Sequence, residues 1–284
     1  MEQLQENMNL KFSVLMSIYY KENPEWFKTA LDSVINQTLQ PNEIVLVEDG
    51  KLTAELYQVI DDYKSKYPNL FNIVQLEKNS GLGEALRIGV LNCSNELIAR
   101  MDTDDIARND RFEKQILCFK NNSEIALVGS WISEFEDNPN NIISYRQLPI
   151  SHEEILKFGK FRNPFNHMTV MFKKDAILDV GNYKLMMYME DYYLWARLLN
   201  KGYKTLNIDE CLVNARAGTA MFKRRANLKY FFSYELPLQN EFLKMQYISF
   251  CQYLKNIFSK FLLRAIPQWA MAIIYKKFLR KASV

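Results

Sequence analysis

Short apolar runs alternate with segments of helical period through the first hundred residues, and this rhythm constrains the fold more than any other feature. Phe12 to Ile18 (FSVLMSI), Glu43 to Glu48 (EIVLVE), Phe71 to Leu76 and Leu97 to Met101 read as buried strands. A helix starts at Asn23-Pro24-Glu25, where Asn can cap, Pro fixes the first helical φ and the acid suits the N-terminal dipole. Trp26, Ala30, Leu31 and Val34 then recur at helical spacing. Thr53 to Lys66 puts Leu56, Val59, Ile60 and Tyr63 on one side, and Leu82 to Leu91 gives a third helix. Such alternation predicts an α/β fold with a mostly parallel central sheet flanked by helices. Ligands in these sheets bind beyond the carboxyl ends of the strands. Those ends carry Ser17 and Tyr19, Asp49, and the run Asp102-Thr103-Asp104-Asp105, from three strands that should meet at one crevice.

Beyond Asn109 the rhythm loosens. Arg111 to Asn121 predicts a helix, Ile125 to Ile132 a strand, Glu136 to Asn141 a loop, Thr169 to Lys173 a strand and Glu190 to Lys201 a helix. From Arg216 onward thirteen Lys and Arg stand against two Glu, so the net charge of +3 hides an acidic body and a basic tail. A tail of this kind needs an anionic partner or surface. It carries no nucleic-acid motif, and its apolar residues step at helical spacing. The expected organisation is a body over 1–215, with parts at about 10–130 and about 131–215, then a C-terminal helical extension over 216–284.

Four scattered cysteines form no C-x-x-C pair and two histidines are too few for a histidine-rich metal site; both facts suit a reducing, cytoplasmic setting. Glu2 and Glu6 with no apolar run show no secretory leader pattern. The longest uncharged stretch, Ala265 to Tyr275, falls well short of the roughly 20 apolar residues a spanning helix needs.

The acidic run is the sharpest chemical signal. Three carboxylates in four residues repel one another unless a hard cation or strong donors compensate. The alternative is a helix start decorated with acids. An EF-hand fails, because Ile106 and Ala107 stand where a ligand and the turn glycine are required. Asp49 can accept from a base or sugar, or simply belong to an Asp-Gly turn. Glu190-Asp191 offers a carboxylate for proton abstraction, or a pair of capping acids. His167, in NPFNHMT, reads equally as a core histidine or a substrate contact. Arg216, or Lys223-Arg224-Arg225, can add positive charge at a leaving group or form a solvated or lipid-facing cluster.

Taken in order, these segments resemble the inverting glycosyltransferases of family 2, with the GT-A fold. FSVLMSIYY is similar to the family's first strand and nucleotide loop, EIVLVEDG to its second strand, NSGLGEALRIG to its Asn-x-Gly helix, ARMDTDDIARNDRFEKQ to its D-x-D segment and MEDYYLWARLLNKGY to its Glu-Asp segment. The resemblance runs from about Lys11 to Arg216. It implies uracil contact by Asp49, ribose contact by Asp102, a divalent metal (Mn²⁺ or Mg²⁺) on Asp104 and a catalytic base at Asp191. Ser17, Tyr19 and Arg87 would line the nucleotide-sugar site, although Arg87 stands where the family commonly has Asn. Glu190, His167 and Arg216 are the candidates for acceptor or diphosphate contacts. The Gln-x-x-Arg-Trp motif of processive synthases is absent, which implies addition of one sugar.

The implied function is transfer of one hexose from a UDP-sugar to a lipid-linked saccharide in bacterial polysaccharide synthesis, at the inner face of the cell membrane. Two other classes compete. A sugar nucleotidyltransferase would show a Gly-rich basic phosphate loop, which SIYYKENPEW is not; a non-catalytic membrane-peripheral binding protein would have no need of Asp49, Asp104 and Asp191 together. The basic tail is expected to lie on an anionic membrane surface. Leu243, Tyr247, Phe250, Leu254, Ile257, Phe258 and Phe261 form one apolar stripe flanked by Lys255, Lys260 and Arg264. A second stripe, Ile266, Trp269, Ala270 and Ile273, follows Pro267. The competing reading packs these stripes on the body or on a second subunit of a homo-oligomer.

Overall fold

The computed structural model describes residues 10–217, 227–265 and 281–282. Strands β1 (Phe12–Ile18), β2 (Glu43–Glu48), β3 (Phe71–Gln75) and β4 (Leu97–Arg100) pair in parallel in the order β3-β2-β1-β4. Helices α1 (Pro24–Ile35), α2 (Ala54–Lys66) and α3 (Leu82–Asn92) make the crossovers. The chain moves outward from β1 to β3 and then returns to the other side of β1. That reversal opens a crevice beyond the carboxyl ends of β1 and β4, where open α/β sheets bind ligands.

The apolar runs bury both faces. Phe12, Val14, Met16 and Ile18 pack with Phe27 and Leu31 on one side of the sheet, while Leu15, Val45 and Val47 pack with Leu86 and Val90 on the other. Strands covered on both faces read as continuous apolar sequence for this reason. Gly89 lets α3 lie close on the sheet, since a Cβ there would collide with the side chains of Leu15 and Val47. Asn23 caps α1 as its position predicts, accepting from the N–H groups of Glu25 (2.9 Å) and Trp26 (3.3 Å). Trp26 itself, grouped by spacing with the buried face, lies outside and covers Arg216 instead.

The second half is more mixed than its sequence suggests. After β5 (Ile106–Ala107) and α4 (Arg111–Asn121), the long β6 (Ile125–Phe135) pairs antiparallel with β7 (Ile142–Arg146) and β8 (Met171–Lys173), and β8 closes onto β4. Between them lie α5 (His152–Gly159) and a 3₁₀ turn (His167–Thr169); α6 (Lys174–Asp179), α7 (Glu190–Asn200) and β9 (Lys204–Arg216) follow β8. β9 runs parallel to β6 with three register shifts and pairs antiparallel with β5. Its far end therefore arrives beside the acidic run after β4.

The extension begins with α8 (Leu228–Tyr230), a π-helical turn (Phe231–Glu235) and α9 (Leu236–Lys244), contiguous in the chain, and continues in α10 (Phe250–Ala265). Leu238, Phe242, Tyr247 and Ile248 share a buried cluster with Tyr192, Leu194 and Trp195. The expected single stripe is thus split. The helix stops at Met245, Gln246 takes a left-handed φ of 59°, and Tyr247 turns into the core. Of that stripe, Phe250, Leu254, Phe258 and Phe261 continue as an exposed apolar row on α10, with Leu262 exposed beside them. Lys260 and Arg264 do not flank that row toward lipid; they turn inward to Glu235, whose buried carboxylate requires a cation. The second stripe and Lys223-Arg224-Arg225 lie outside the described residues.

Candidate active site

Asp102, Asp104 and Asp105 occupy the turn between β4 and β5, each offering a carboxylate oxygen within 4.8 Å of the others. The turn is braced from behind. Arg111, buried at the start of α4, donates from Nη2 to the carbonyl of Arg100 at 2.7 Å. Arg100, also buried, pairs with Asp102. Burial, then the charges of Asp102 and Glu22, push the Asp104 carboxyl up to about 7. Burial together with Asp102 and Asp104 pushes Asp105 well above the usual carboxylate range. Asp105 Oδ1 accepts from the Arg216 N–H at 2.8 Å, and its buried Oδ2 has no hydrogen-bond partner among the described residues.

Two groups reach this turn from elsewhere. Glu22, in the loop after β1, accepts the Thr103 hydroxyl at 2.7 Å and its own neighbour's N–H, from Asn23, at 2.9 Å. Arg216, at the end of β9, donates to the Asp104 carbonyl at 3.4 Å and the Glu136 carbonyl at 2.8 Å. Its guanidinium lies 4.1 Å from the Trp26 ring centre and 4.7 Å from that of Phe135. Cation–π contact on two rings fixes a charge that would otherwise wander in solvent.

On the nucleotide side, Ser17 is half-buried at the end of β1 and Tyr19 is exposed beyond it. Asp49, buried after β2, accepts from the Ser80 N–H at 2.6 Å and the Gly81 N–H at 3.0 Å. The Asn-x-Gly loop therefore aims this carboxylate, and each oxygen keeps a second lone pair for a ligand. Arg87 stands apart from the acidic turn in a bidentate pair with Glu84, at 2.8 and 2.7 Å.

Glu190 and Asp191 open α7. Asn163 donates to Asp191 Oδ2 at 2.6 Å. Glu190 packs on the first turn of α3, where a Cβ on Gly83 would approach its Cγ to 2.6 Å. That contact draws the Glu-Asp segment against the nucleotide half of the crevice. His167, read from its sequence equally as a core histidine or a substrate contact, hydrogen-bonds the Tyr183 hydroxyl at 2.8 Å and meets Trp195 edge-on. Burial, with Arg100 nearby, holds its pKa well below the usual value, so the ring is neutral.

The acidic turn fits a divalent cation. The proton affinities of Asp104 and Asp105 are raised by their acidic neighbours, and an oxygen-only donor set of this charge suits Mg²⁺ or Mn²⁺. Four residues of the site lay outside the sequence expectations: Glu22, Arg100, Trp26 and Asn163. Only Arg100 had a local signal, as the residue leading into the acidic run. The others meet the site through pairings far apart in the chain.

A mostly parallel half-sheet flanked by helices, with an acidic turn beyond the carboxyl end of β4, is the architecture of the GT-A glycosyltransferases. Residues 13–181 match the family model described as glycosyl transferase family 2, and the chain belongs to that family. Among relatives, it is 40% identical over 271 residues to the Escherichia coli UDP-Gal:alpha-D-GlcNAc-diphosphoundecaprenol beta-1,3-galactosyltransferase, covering 95% of this chain and 97% of that one. It is 38% identical to the amylovoran biosynthesis glycosyltransferase AmsE of Erwinia amylovora, covering 94% and 98%. The fold is similar to that of S. aureus TarS 1-349 in complex with UDP-GlcNAc, with a TM-score of 0.64 at 20% identity, over 89% of this chain and 72% of that one.

Proposed function

We propose that this glycosyltransferase moves one hexose from a UDP-sugar to a lipid-linked saccharide during bacterial surface-polysaccharide synthesis, with inversion at the anomeric carbon. What supports the reading is an acidic turn after β4 (Asp102, Asp104, Asp105) together with a separately held carboxylate, Asp191, which Asn163 orients at the start of α7. Similarity along nearly the whole length to a galactosyltransferase whose acceptor is a diphosphoundecaprenol sugar supports the substrate class.

In this reading Asp49 accepts from the uracil and Asp102 from the ribose. The acceptor hydroxyl oxygen attacks the anomeric carbon while the bond to the diphosphate oxygen breaks, and UDP leaves with that electron pair. Asp191, oriented by Asn163, takes the hydroxyl proton, a contribution of about 10²–10⁴ in rate. A divalent metal, Mn²⁺ or Mg²⁺, would be held by Asp104 with its acidic neighbours and would supply charge neutralisation at the diphosphate. Arg216, clamped by Trp26 and Phe135, adds a fixed positive charge on the same side.

No helix among the described residues is long and apolar enough to cross a membrane. The exposed row on α10 supports peripheral attachment to an anionic membrane surface at the cytoplasmic face. A donor panel tests the whole reading. UDP release from a UDP-hexose, raised by a synthetic alkyl-diphospho-α-D-GlcNAc, is expected; no UDP release from any UDP-hexose, with pyrophosphate formed instead from UTP and a hexose 1-phosphate, would assign a nucleotidyltransferase.

A further inference from the structure

The segment leading into the base has an unusual backbone. Met186 to Met189 form a turn closed by the Met189 N–H donating to the Met186 carbonyl at 2.7 Å. Tyr188, its third residue, has a φ of 64°. Turns of this hand favour Gly or Asn at that position, and a bulky side chain there is sterically costly. Strain of this kind persists where neighbours over-determine it.

The neighbours here are aromatic. Tyr230 stacks on Tyr188 with ring centres 6.3 Å apart, and Tyr234 meets it edge-on at 4.9 Å. Tyr230 is itself buried, so the extension forms a fixed backing for the ring. Tyr188 nonetheless stays 40% exposed, beside Leu185 at 86% and Met187 at 54%. This apolar rim stands three residues before Asp191, on the segment that Glu190 pins to Gly83 at the crevice.

We propose that Tyr188, backed by Tyr230 and Tyr234, is an acceptor platform: its exposed ring receives the apolar C–H face of the acceptor's pyranose and so presents the attacking hydroxyl to Asp191. The inference rests on the reading of Asp191 as the base of a glycosyl transfer. The chemistry selects a sugar, because an aromatic with an apolar face and a polar hydroxyl edge matches a pyranose, which has an apolar face and a hydroxyl rim. The donor side is already furnished by Asp49 and the acidic turn, which leaves this rim to the acceptor.

The test uses the full-length protein, a UDP-hexose that it turns over and alkyl-diphospho-α-D-GlcNAc of short and long alkyl chain, with Tyr188→Phe, Tyr188→Gly and Tyr188→Ala. Glycine suits the left-handed backbone, so Tyr188→Gly removes the ring without breaking the turn. Phe should stay within about twofold of wild type. Gly and Ala should raise acceptor KM about tenfold, the equivalent of losing one aromatic contact, at both chain lengths. Donor KM and the slow UDP release without acceptor should not change. An unchanged acceptor KM in Tyr188→Gly overturns the platform, as does a rise confined to the long chain, which would make the ring a lipid contact. Equal losses with and without acceptor overturn it too, marking the ring as structural support. Wild-type protein that releases UDP from no UDP-sugar would instead remove the underlying reading of the reaction.

Discussion

Glu22 accepts a hydrogen bond from the Thr103 hydroxyl at 2.7 Å, joining the loop after β1 to the turn that bears the three aspartates. Thr103 sits between Asp102 and Asp104, so this one bond fixes the backbone between the ribose ligand and the metal ligand of the proposed site. Thr103→Val keeps the shape and removes the donor, a loss of about 1 kcal/mol. Donor KM and the Mn²⁺ dissociation constant, read by electron paramagnetic resonance, should each rise about fivefold. Glu22→Ala should do the same, and the double variant should be no worse than either single one. Additive losses would mean the two residues act separately.

The proton affinity of Asp104 gives a second expectation. Its folded-state pKa, pushed up to about 7, exceeds the unfolded value, so the metal-free folded protein binds the extra proton and loses stability as pH rises toward and through 7. Asp104→Asn removes that charge. It should raise the metal-free melting temperature at pH 8 by about 2–4 °C, the shift expected for about 1 kcal/mol, with a smaller gain at pH 5.5. Mn²⁺ should stabilise wild type more at pH 8 than at pH 5.5 and barely stabilise the variant. Calorimetry at the two pH values checks this, and an equal gain at both would refute it.

Asp191→Asn keeps the size and the partner but cannot take the proton. Transfer should fall by about 10² or more with donor KM unchanged. Asn163→Ala leaves the base in place and frees its orientation, so a loss of about tenfold in kcat is expected. Steady-state kinetics distinguish these outcomes from a cap, whose loss would lower stability and affect all parameters together.

The row Phe250, Leu254 and Phe258 is exposed on α10. Replacing Phe250 and Phe258 by Ser should reduce flotation with anionic vesicles at low salt and leave turnover of a short-chain acceptor unchanged. Unaltered flotation would locate membrane contact elsewhere.

The parallel half of the sheet was legible because β1, β2 and β4 are buried on both faces and each crossover helix has a cap or a periodic face. β9 was not: Asp209 and Glu210 interrupt its apolar pattern, and its pairing with β5 and β6 supplies what propensity does not. The acidic run and Asp191 could be read locally, since their chemistry is crowded into a few residues. Glu22 could not, because its partner lies 81 positions away and meets it only once β4 returns beside β1. His167, which its sequence left open between core and contact, could not be decided for a related reason. Its surroundings, Tyr183 and Trp195, come from distant segments and make it a packed, neutral ring. The tail showed helical period but not direction, and only Glu235 reveals why Lys260 and Arg264 point inward.

The anomeric configuration of the product tests the central claim most directly. Transfer from an α-linked UDP-hexose to the alkyl-diphospho-α-D-GlcNAc acceptor, followed by proton NMR of the purified disaccharide, reads it in one spectrum. A β-linked product is predicted, as a single displacement assisted by Asp191 requires; an α-linked product would contradict that mechanism and the role given to Asp191.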